Sequence, residues 1–313
     1  MKLLCGFQQI SALGVDTAAT IGNFDGVHRG HQALLSVLRS QASRMRLPML
    51  VILFEPQPSE YFFKQQAPAR LSSLREKVDV LRQCGADYVC CLKFDDSLAS
   101  LPAVEFAKHY IYSLLQAKYL LVGDDFRFGR GRLGDVALLD ELGRQESCVV
   151  QNFSDFFIDE QRVSSTKIRH ALQAGQLDYA ATLLGRPYSM CGRVIRGAGL
   201  GRQWGIPTAN ISLHRRTLPL KGVFCVRVLR QGKSSLMGVA NIGCRPTVDG
   251  IKNSLEVHLF DIDESLYGEM LHVCFLHKLR DEMKFASVDA LVKQIHHDVA
   301  VSKVWFNGLK ELI

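Results

Sequence analysis

The chain has 313 residues, 47% of them hydrophobic and 22% charged, with a formal net charge of +7. This length suggests two cores, because single domains rarely grow past about 250–300 residues. No apolar run approaches the roughly 18 uncharged residues of a membrane span, and the N-terminal segment lacks the apolar core and cleavage site of a signal peptide, so the cytoplasm is the expected compartment.

The first half alternates apolar runs with amphipathic helical patterns. Strands are predicted at Thr17–Phe24, Met49–Phe54, Ala86–Leu92, Tyr119–Gly123 and Cys148–Phe153. The run at 49–54 is apolar at every position, which suits a parallel strand covered on both faces. Helices are predicted at Gln32–Arg44, at Leu74–Cys84 behind a Ser73/Glu76 capping box, from Pro102 to about Gln116, at Asp135–Arg144 and at Lys167–Ala174. Such alternation implies a doubly wound parallel sheet. After about Leu184 the pattern changes to short strands, at Cys191–Arg196, Gly222–Arg230, Ser235–Ile242, Ser254–Phe260 and Met270–His277. Leu255, Val257 and Leu259 alternate with Glu256 and His258, a period of two. Arg230 to Lys233 reads as a hairpin turn, and the half closes with a helix from Ser287 to about Phe306 whose apolar face carries Val288, Leu291, Ile295 and Val299. The expected architecture is α/β plus β: a Rossmann-like domain over 1–184 and a small antiparallel barrel with a terminal helix over 185–313.

The nine cysteines are irregularly spaced, form no C-x-x-C and lie mostly in apolar runs, so buried thiols are expected rather than disulfides or a zinc site. Residues 1–184 balance in charge, and residues 185–313 supply the whole excess. No Asp or Glu occurs between Asp178 and Asp249, a stretch that reads either as a solvated basic face or as the site of an anionic partner, a nucleotide or a nucleic acid.

Two constellations carry chemistry. The first, Gly22-Asn23-Phe24-Asp25-Gly26-Val27-His28-Arg29-Gly30-His31, follows a strand and opens a helix. Glycines there let backbone approach phosphate, and a helix N-terminus presents unpaired N–H groups. The histidine pair is open to three readings: metal ligands, with no obvious third ligand nearby; structural groups; or donors to a phosphate whose charge grows in a transition state. The glycines and the helix start favour the last. The G-x-G-x-x-G at 129–134 follows the fourth expected strand rather than the first, so it is read as coincidence within a loop. The second constellation spans 192–210, with five glycines and three arginines ending in Gly205-Ile206-Pro207-Thr208-Ala209-Asn210. Such a loop can wrap phosphates with backbone N–H groups, although it is no Walker loop.

These segments resemble the prokaryotic bifunctional riboflavin kinase/FMN adenylyltransferase (FAD synthetase) family. G-N-F-D-G-V-H-R-G-H is similar to its H-x-G-H region. Phe54-Glu55-Pro56-Gln57-Pro58 is similar to its flavin-side loop, Gly123 to Gly129 to its second motif, and Ser164-Ser165-Thr166-Lys167-Ile168-Arg169 to its S-S-T-x-I-R motif. The resemblance implies adenylyl transfer, with ATP held by Gly22, Asn23, Phe24, Asp25, His28, Gly30, His31, Ser164, Ser165, Thr166 and Arg169. It implies FMN held by Phe54, Pro56, Pro58, Asp125 and Arg127; Phe54 can equally be the end of a core strand. The G-x-P-T-A-N segment resembles the riboflavin kinase signature. It implies ATP at Gly197, Gly201, Arg202, Gly205, Pro207, Thr208 and Asn210, with Mg²⁺ on Thr208 and Asn210. Leu255-Glu256-Val257-His258 resembles the segment carrying the catalytic glutamate, and Arg280, Lys284 and Phe285 stand where the family has its riboflavin-side loop. Without the resemblance, Glu256 reads as an exposed strand carboxylate. Ala198, Gly199 and Gln57 depart from the family pattern, which puts ATP-loop rigidity and flavin affinity in question. The expected partners are riboflavin, FMN and ATP, in a monomer or weak homo-oligomer without nucleic acid or membrane. Two alternatives are a nucleic-acid-binding barrel, disfavoured by few aromatics in the basic stretch, and adenylyl transfer to another substrate, disfavoured by G-x-P-T-A-N.

Overall fold

The computed structural model describes residues 1–310 except 7, 8, 10, 198, 200, 202, 203, 248 and 249, and only the backbone of 245–247, 250–252, 309 and 310. The chain divides into two compact units, Met1–Pro68 with Ser72–Ser165, and Ala69–Leu71 with Thr166–Ile313.

In the first unit, strands β1 (Lys2–Cys5), β2 (Thr17–Ile21), β3 (Met49–Glu55), β4 (Tyr88–Lys93), β5 (Ala117–Gly123) and β6 (Val149–Phe153) form one sheet in the order β1-β4-β3-β2-β5-β6. Every pairing in it is parallel. The uninterrupted apolar run of β3 has a direct cause. Leu50 and Ile52 pack on one face with Phe106, Ile111 and Leu139. Met49, Val51 and Leu53 pack on the other with Leu35, Leu38 and Leu81. A sheet buried on both faces leaves no polar alternation to read. The edge strand β1 has no such run, and only its Leu4 is buried. Between β2 and β5 the strand order reverses, which opens a crevice at the carboxyl ends of the strands.

The capping box expected before Leu74–Gln83 is formed. Glu76 N–H donates to Ser73 Oγ at 3.3 Å, and Ser73 N–H donates to Glu76 Oε2 at 2.7 Å. Pro102 is the N-cap of helix Ala103–Phe106 rather than a member of its first turn, and that helix continues as a π-helical stretch, Ala107–Leu114. A short antiparallel pair, β7 (Phe157–Ile158) and β8 (Gln161–Arg162), follows β6.

The second unit takes in helix Leu177–Leu184, and helix Ser165–Gln173 from Thr166 onward, before its strands begin. Strands β9 (Ser189–Ile195), β10 (Ala209–Ser212), β11 (Gly222–Arg230), β12 (Leu236–Thr247), β13 (Gly250–Leu259) and β14 (Met270–Arg280) close an antiparallel barrel in the order β10-β13-β12-β11-β14-β9. The expected hairpin joins β11 to β12, with Gly232 at φ +69° and Lys233 N–H donating to the Arg230 carbonyl at 3.3 Å. Gly222 sits at φ +125°, where a side chain would lie 2.5 Å from the Arg280 carbonyl, so this backbone approach requires glycine.

The terminal helix, Val288–Lys310, departs from its expected apolar stripe. Val288 is exposed, whereas Asp298 and Ser302 are buried on the packed face together with Phe306. Asp298 belongs there because it answers a cation on β14, as described below. Of the nine cysteines, all free, Cys90, Cys91, Cys148, Cys191, Cys225 and Cys274 are buried. Burial pushes the Cys148 thiol up to about 12, which keeps it protonated and inert.

Candidate functional sites

The crevice of the first unit is a cavity of about 980 Å³, lined at the strand ends by Ile21, Gly22, Phe54, Gly123 and Phe153. One end is built by the turn from β2 into helix Arg29–Met45. His28 is the N-cap of that helix, and its Nδ1 accepts from the His31 backbone N–H at 3.3 Å. A ring nitrogen that accepts carries no proton, so the His28 ring holds its hydrogen on Nε2. The His28 and His31 rings stack at 3.6 Å and 15°. Gly30 keeps this stack open, since a Cβ there would lie 3.3 Å from the His28 ring. Burial, then His28, then the Lys77 ammonium hold the His31 imidazole well below its usual pKa, so it is neutral near pH 7. Among the described residues no group of three His, Cys, Asp and Glu side chains could hold a metal ion here or elsewhere.

The loop beneath these rings is fixed by buried polar contacts. Asp25, nearly inaccessible, accepts from the Ser72 N–H at 3.1 Å, and Gly26 N–H donates to Ser72 Oγ at 3.0 Å. Asp25 therefore shapes the loop. Its carbonyl accepts from Ser165 Oγ at 2.9 Å, which ties in the S-S-T segment. The Asn23 carbonyl accepts from the Lys77 ammonium at 2.5 Å, and Lys77 is only 2% exposed. Lys77 escaped the sequence reading. Its signal was a lysine on the apolar face of Leu74–Gln83, one turn from Leu74 and Leu81.

The cavity brings together Gly22, Asn23, Phe24, Asp25, His28, Gly30, His31, Ser164 and Ser165 with Phe54, Pro58, Asp125 and Arg127. Pro56, Thr166 and Arg169 do not line it. Thr166 and Arg169 fall in the second unit, where Arg169 Nε donates to the Ala69 carbonyl at 2.6 Å. The far wall is aromatic. Phe54 meets Phe94 edge to face at 5.6 Å, and Phe62, Phe63, Phe106 and Phe128 complete it. Asp125 is paired with Arg162 at 2.7 Å, and Arg162 also reaches Asp155 at 2.8 Å. Gln57 is buried beside the wall and does not face the cavity; its N–H donates to Glu60 Oε2 at 3.1 Å.

The second site lies on the barrel. Strand register places Asn210 of β10 and Asn241 of β12 on either side of Glu256. Leu255 and Val257 point into the barrel core, and Glu256 stands on the opposite face, partly buried. The glycine loop closes on the same residues. A Cβ at Gly197 would collide with the Asn210 amide, and one at Gly201 would lie 3.3 Å from Thr208 Oγ1. Gly199 and Gly205 take positive φ. The side-chain oxygens of Thr208 and Asn210 are hard donors beside a backbone cradle, a set that fits Mg²⁺ and phosphate. Arg202 and Ala198 lie outside the described residues.

Arg280 is engaged elsewhere. Its Nε donates to both carboxylate oxygens of Asp298 at 3.0 Å, and its Nη2 donates to Asp298 Oδ2 at 2.7 Å. Gln294 Nε2 adds a bond to the same carboxylate at 2.8 Å. The guanidinium carbon lies 5.8 Å from the Phe285 ring centroid, and Lys284 is exposed. Arg280 thus clamps the terminal helix to β14.

Comparison with known proteins adds two family models. One, FAD synthetase, matches residues 12–167, and the other, riboflavin kinase, matches residues 184–306. A bifunctional riboflavin kinase/FMN adenylyltransferase of Escherichia coli K12 is 47% identical over 311 residues, covering 99% of both chains. Its namesake in Haemophilus influenzae is 46% identical over 98% of this chain and 100% of that one. The crystal structure of a macrolide-efflux protein from Streptococcus pneumoniae superposes with a TM-score of 0.81 at 31% identity, covering 96% of this chain and 98% of that one.

Proposed function

Because the chain belongs to the bifunctional riboflavin kinase/FMN adenylyltransferase family, we propose that its two reactions divide between the strand-end cavity and the barrel, with the functional boundary at residues 184/185. The protein phosphorylates riboflavin with ATP and adenylylates the FMN so formed, releasing pyrophosphate. Efflux, the activity in the name of the pneumococcal protein, is not part of this reading.

The observation that carries the assignment of the first site is the stacked His28/His31 pair at a helix N-terminus, facing a cavity with an aromatic far wall. In adenylyl transfer an FMN phosphate oxygen bonds to the α-phosphorus of ATP, and the bond to the bridging oxygen breaks as pyrophosphate leaves. The nucleophile is already ionised, so positioning and hydrogen-bond donors suffice. In this reading His28, His31 and Ser164 receive the growing charge at the start of helix Arg29–Met45. Thr166 and Arg169 are proposed as ATP ligands on the likeness of their segment to the S-S-T-x-I-R motif alone. Phe54, Pro56 and Pro58 with Asp125 and Arg127 hold the flavin side. Asp125, already paired with Arg162, acts there through that pair.

On the barrel, Glu256 accepts the proton of the ribityl hydroxyl as its oxygen bonds to the γ-phosphorus and ADP leaves. Mg²⁺, when bound, neutralises charge on the phosphates. Thr208 and Asn210 would hold it, and Gly197, Gly201, Gly205 and Pro207 shape the loop around the ATP. Lys284 and Phe285 flank riboflavin; Arg280 supports that loop from its pair with Asp298. Among the described residues no helix is long and apolar enough to cross a membrane. The reading takes the enzyme to act in the cytoplasm as a monomer or weak homo-oligomer.

The test is incubation with riboflavin, ATP and Mg²⁺, followed by chromatography for FMN and FAD. Glu256→Gln should slow FMN formation by about 10²–10⁴-fold and leave FAD formation from supplied FMN intact. Retained kinase activity in that variant would remove Glu256 from the role of base.

A further inference from the structure

We propose that His258 is a positioning residue of the kinase site, which holds the Thr208 segment in place from the same strand that carries Glu256. The proposal rests on the reading of Thr208 and Asn210 as ligands of Mg²⁺ and phosphate and of Glu256 as the base.

Residues two apart on a strand share a face, so β13 presents Glu256 and His258 together, with buried Leu255 and Val257 on the other side. Glu256 is opposite Asn210 in β10. Strand β10 begins only at Ala209, which pairs with Val257, so Pro207 and Thr208 precede the ladder. A proline also has no N–H to anchor itself. The gap is bridged by a side chain: His258 Nδ1 lies 2.8 Å from the Pro207 carbonyl oxygen. A carbonyl oxygen only accepts, so Nδ1 carries the hydrogen.

The ring itself is braced. It meets Phe260 edge-on at 5.9 Å and 66°, and Phe260 meets Phe306 of the terminal helix at 6.3 Å. Among the described residues of the loop it restrains, Ile206 is buried, and the Gly201 carbonyl accepts from the Ile206 N–H at 2.8 Å and from the Trp204 N–H at 3.2 Å; none of these holds reaches β13. One strand therefore carries the proton acceptor and also fixes the residue next to a phosphate-side ligand. This coupling keeps the distance between base and ATP independent of the glycine loop.

The experiment uses the full chain with three substitutions. His258→Leu removes the donor and keeps bulk, His258→Asn keeps an N–H near the Nδ1 position, and His258→Gln moves it toward the Nε2 position. Binding of Mg·ADP is followed by tryptophan fluorescence. Both tryptophans, Trp204 in the glycine loop and Trp305, belong to the second unit, so the signal reports that unit. A neutral hydrogen bond corresponds to about two- to tenfold in an equilibrium constant. His258→Leu and His258→Gln should therefore weaken Mg·ADP binding and raise the KM for Mg·ATP by that factor. Their kcat should stay within about threefold, and His258→Asn should behave like the natural protein. FAD formation from FMN should be unchanged in all three. Unaltered Mg·ADP affinity in His258→Leu overturns the proposal. So does equal impairment of Asn and Leu variants, which would make the ring packing against Phe260 the cause, or a loss confined to kcat. If His258→Leu fails to fold, the contrast between Asn and Gln decides. Failure of the underlying kinase-site reading is a separate result, visible as unchanged kinase activity in Glu256→Gln.

Discussion

Asp298→Ala should destabilise the second unit by about 3 kcal/mol. Asp298 is 4% exposed and receives three short contacts from Arg280, whose side chain is 18% exposed. Removing one partner of a buried ion pair generally costs about 3–5 kcal/mol, because the other charge is left desolvated. Here the lower end applies. Arg280 Nη1 still reaches the Asp281 carbonyl at 3.0 Å, and the Phe285 ring lies beside the guanidinium. The assay is urea unfolding of the full chain followed by tryptophan fluorescence, which reads only the second unit because the first contains no tryptophan. Replacing both partners, Arg280→Met with Asp298→Leu, should recover most of the loss, since the desolvated charge is then gone. Riboflavin binding should fall with Asp298→Ala although Asp298 is no riboflavin ligand, because β14 and the loop beyond it lose their anchor. A loss under about 1 kcal/mol, or a double variant no better than Asp298→Ala, would refute the clamp and return Arg280 to direct flavin contact.

His28→Ala removes the Nε2 donor and the cap of helix Arg29–Met45, so FAD formation should fall about 10²–10³-fold while FMN accumulates; a product ratio like that of the natural protein would leave this histidine structural. Lys77→Met keeps the buried volume but loses a charged hydrogen bond to Asn23, typically about 1.5–3 kcal/mol, so FAD formation should drop at least tenfold with FMN formation unchanged. The depressed His31 has a pH signature. Above its ordinary pKa of 6.5 neither state binds the proton; as pH falls below that value only the unfolded chain takes it, so stability of the first unit declines toward the lower folded pKa. Circular-dichroism melts of His31→Gln between pH 5 and 7 should show a weaker decline than the natural protein, and parallel curves would contradict the buried neutral imidazole.

The parts of the fold that sequence made legible were those in which one physical requirement dominates. The apolar runs of β3 and β5 announced a doubly covered sheet because both faces of each are buried. The capping box at Ser73 fixed a helix start because its two hydrogen bonds are local. What stayed illegible depends on long-range pairing. Strand β1 has one buried residue, so no periodicity betrays it, and β10, four residues long, is held by partners at 193–195 and 255–257. Helix Leu177–Leu184 is brief, and its buried positions, Leu177, Ala180, Leu183 and Leu184, span barely two turns.

The same division runs through the sites. Glycines and histidines in a tight cluster could be read at once, because the motif itself contains the turn, the cap and the donor. The residues that escaped are polar groups whose partners lie far along the chain: buried Lys77 under Asn23, buried Asp298 under Arg280 and half-buried His258 against Pro207. Each stands where a residue pattern predicts either an apolar contact or a solvated side chain. Burying a charge there costs several kcal/mol unless a partner repays it. Such a position therefore marks a place where two distant segments must be kept in register. In this chain each of the three meets a segment that also carries a proposed ligand or base: Asn23 in the cavity, the loop after β14, and Thr208 on the barrel. A lysine or aspartate on an apolar stripe, or a histidine two residues from a strand carboxylate, is thus a signal for the supporting layer of a site. It shows where to look, while the partner becomes identifiable only once the fold has brought the two segments together.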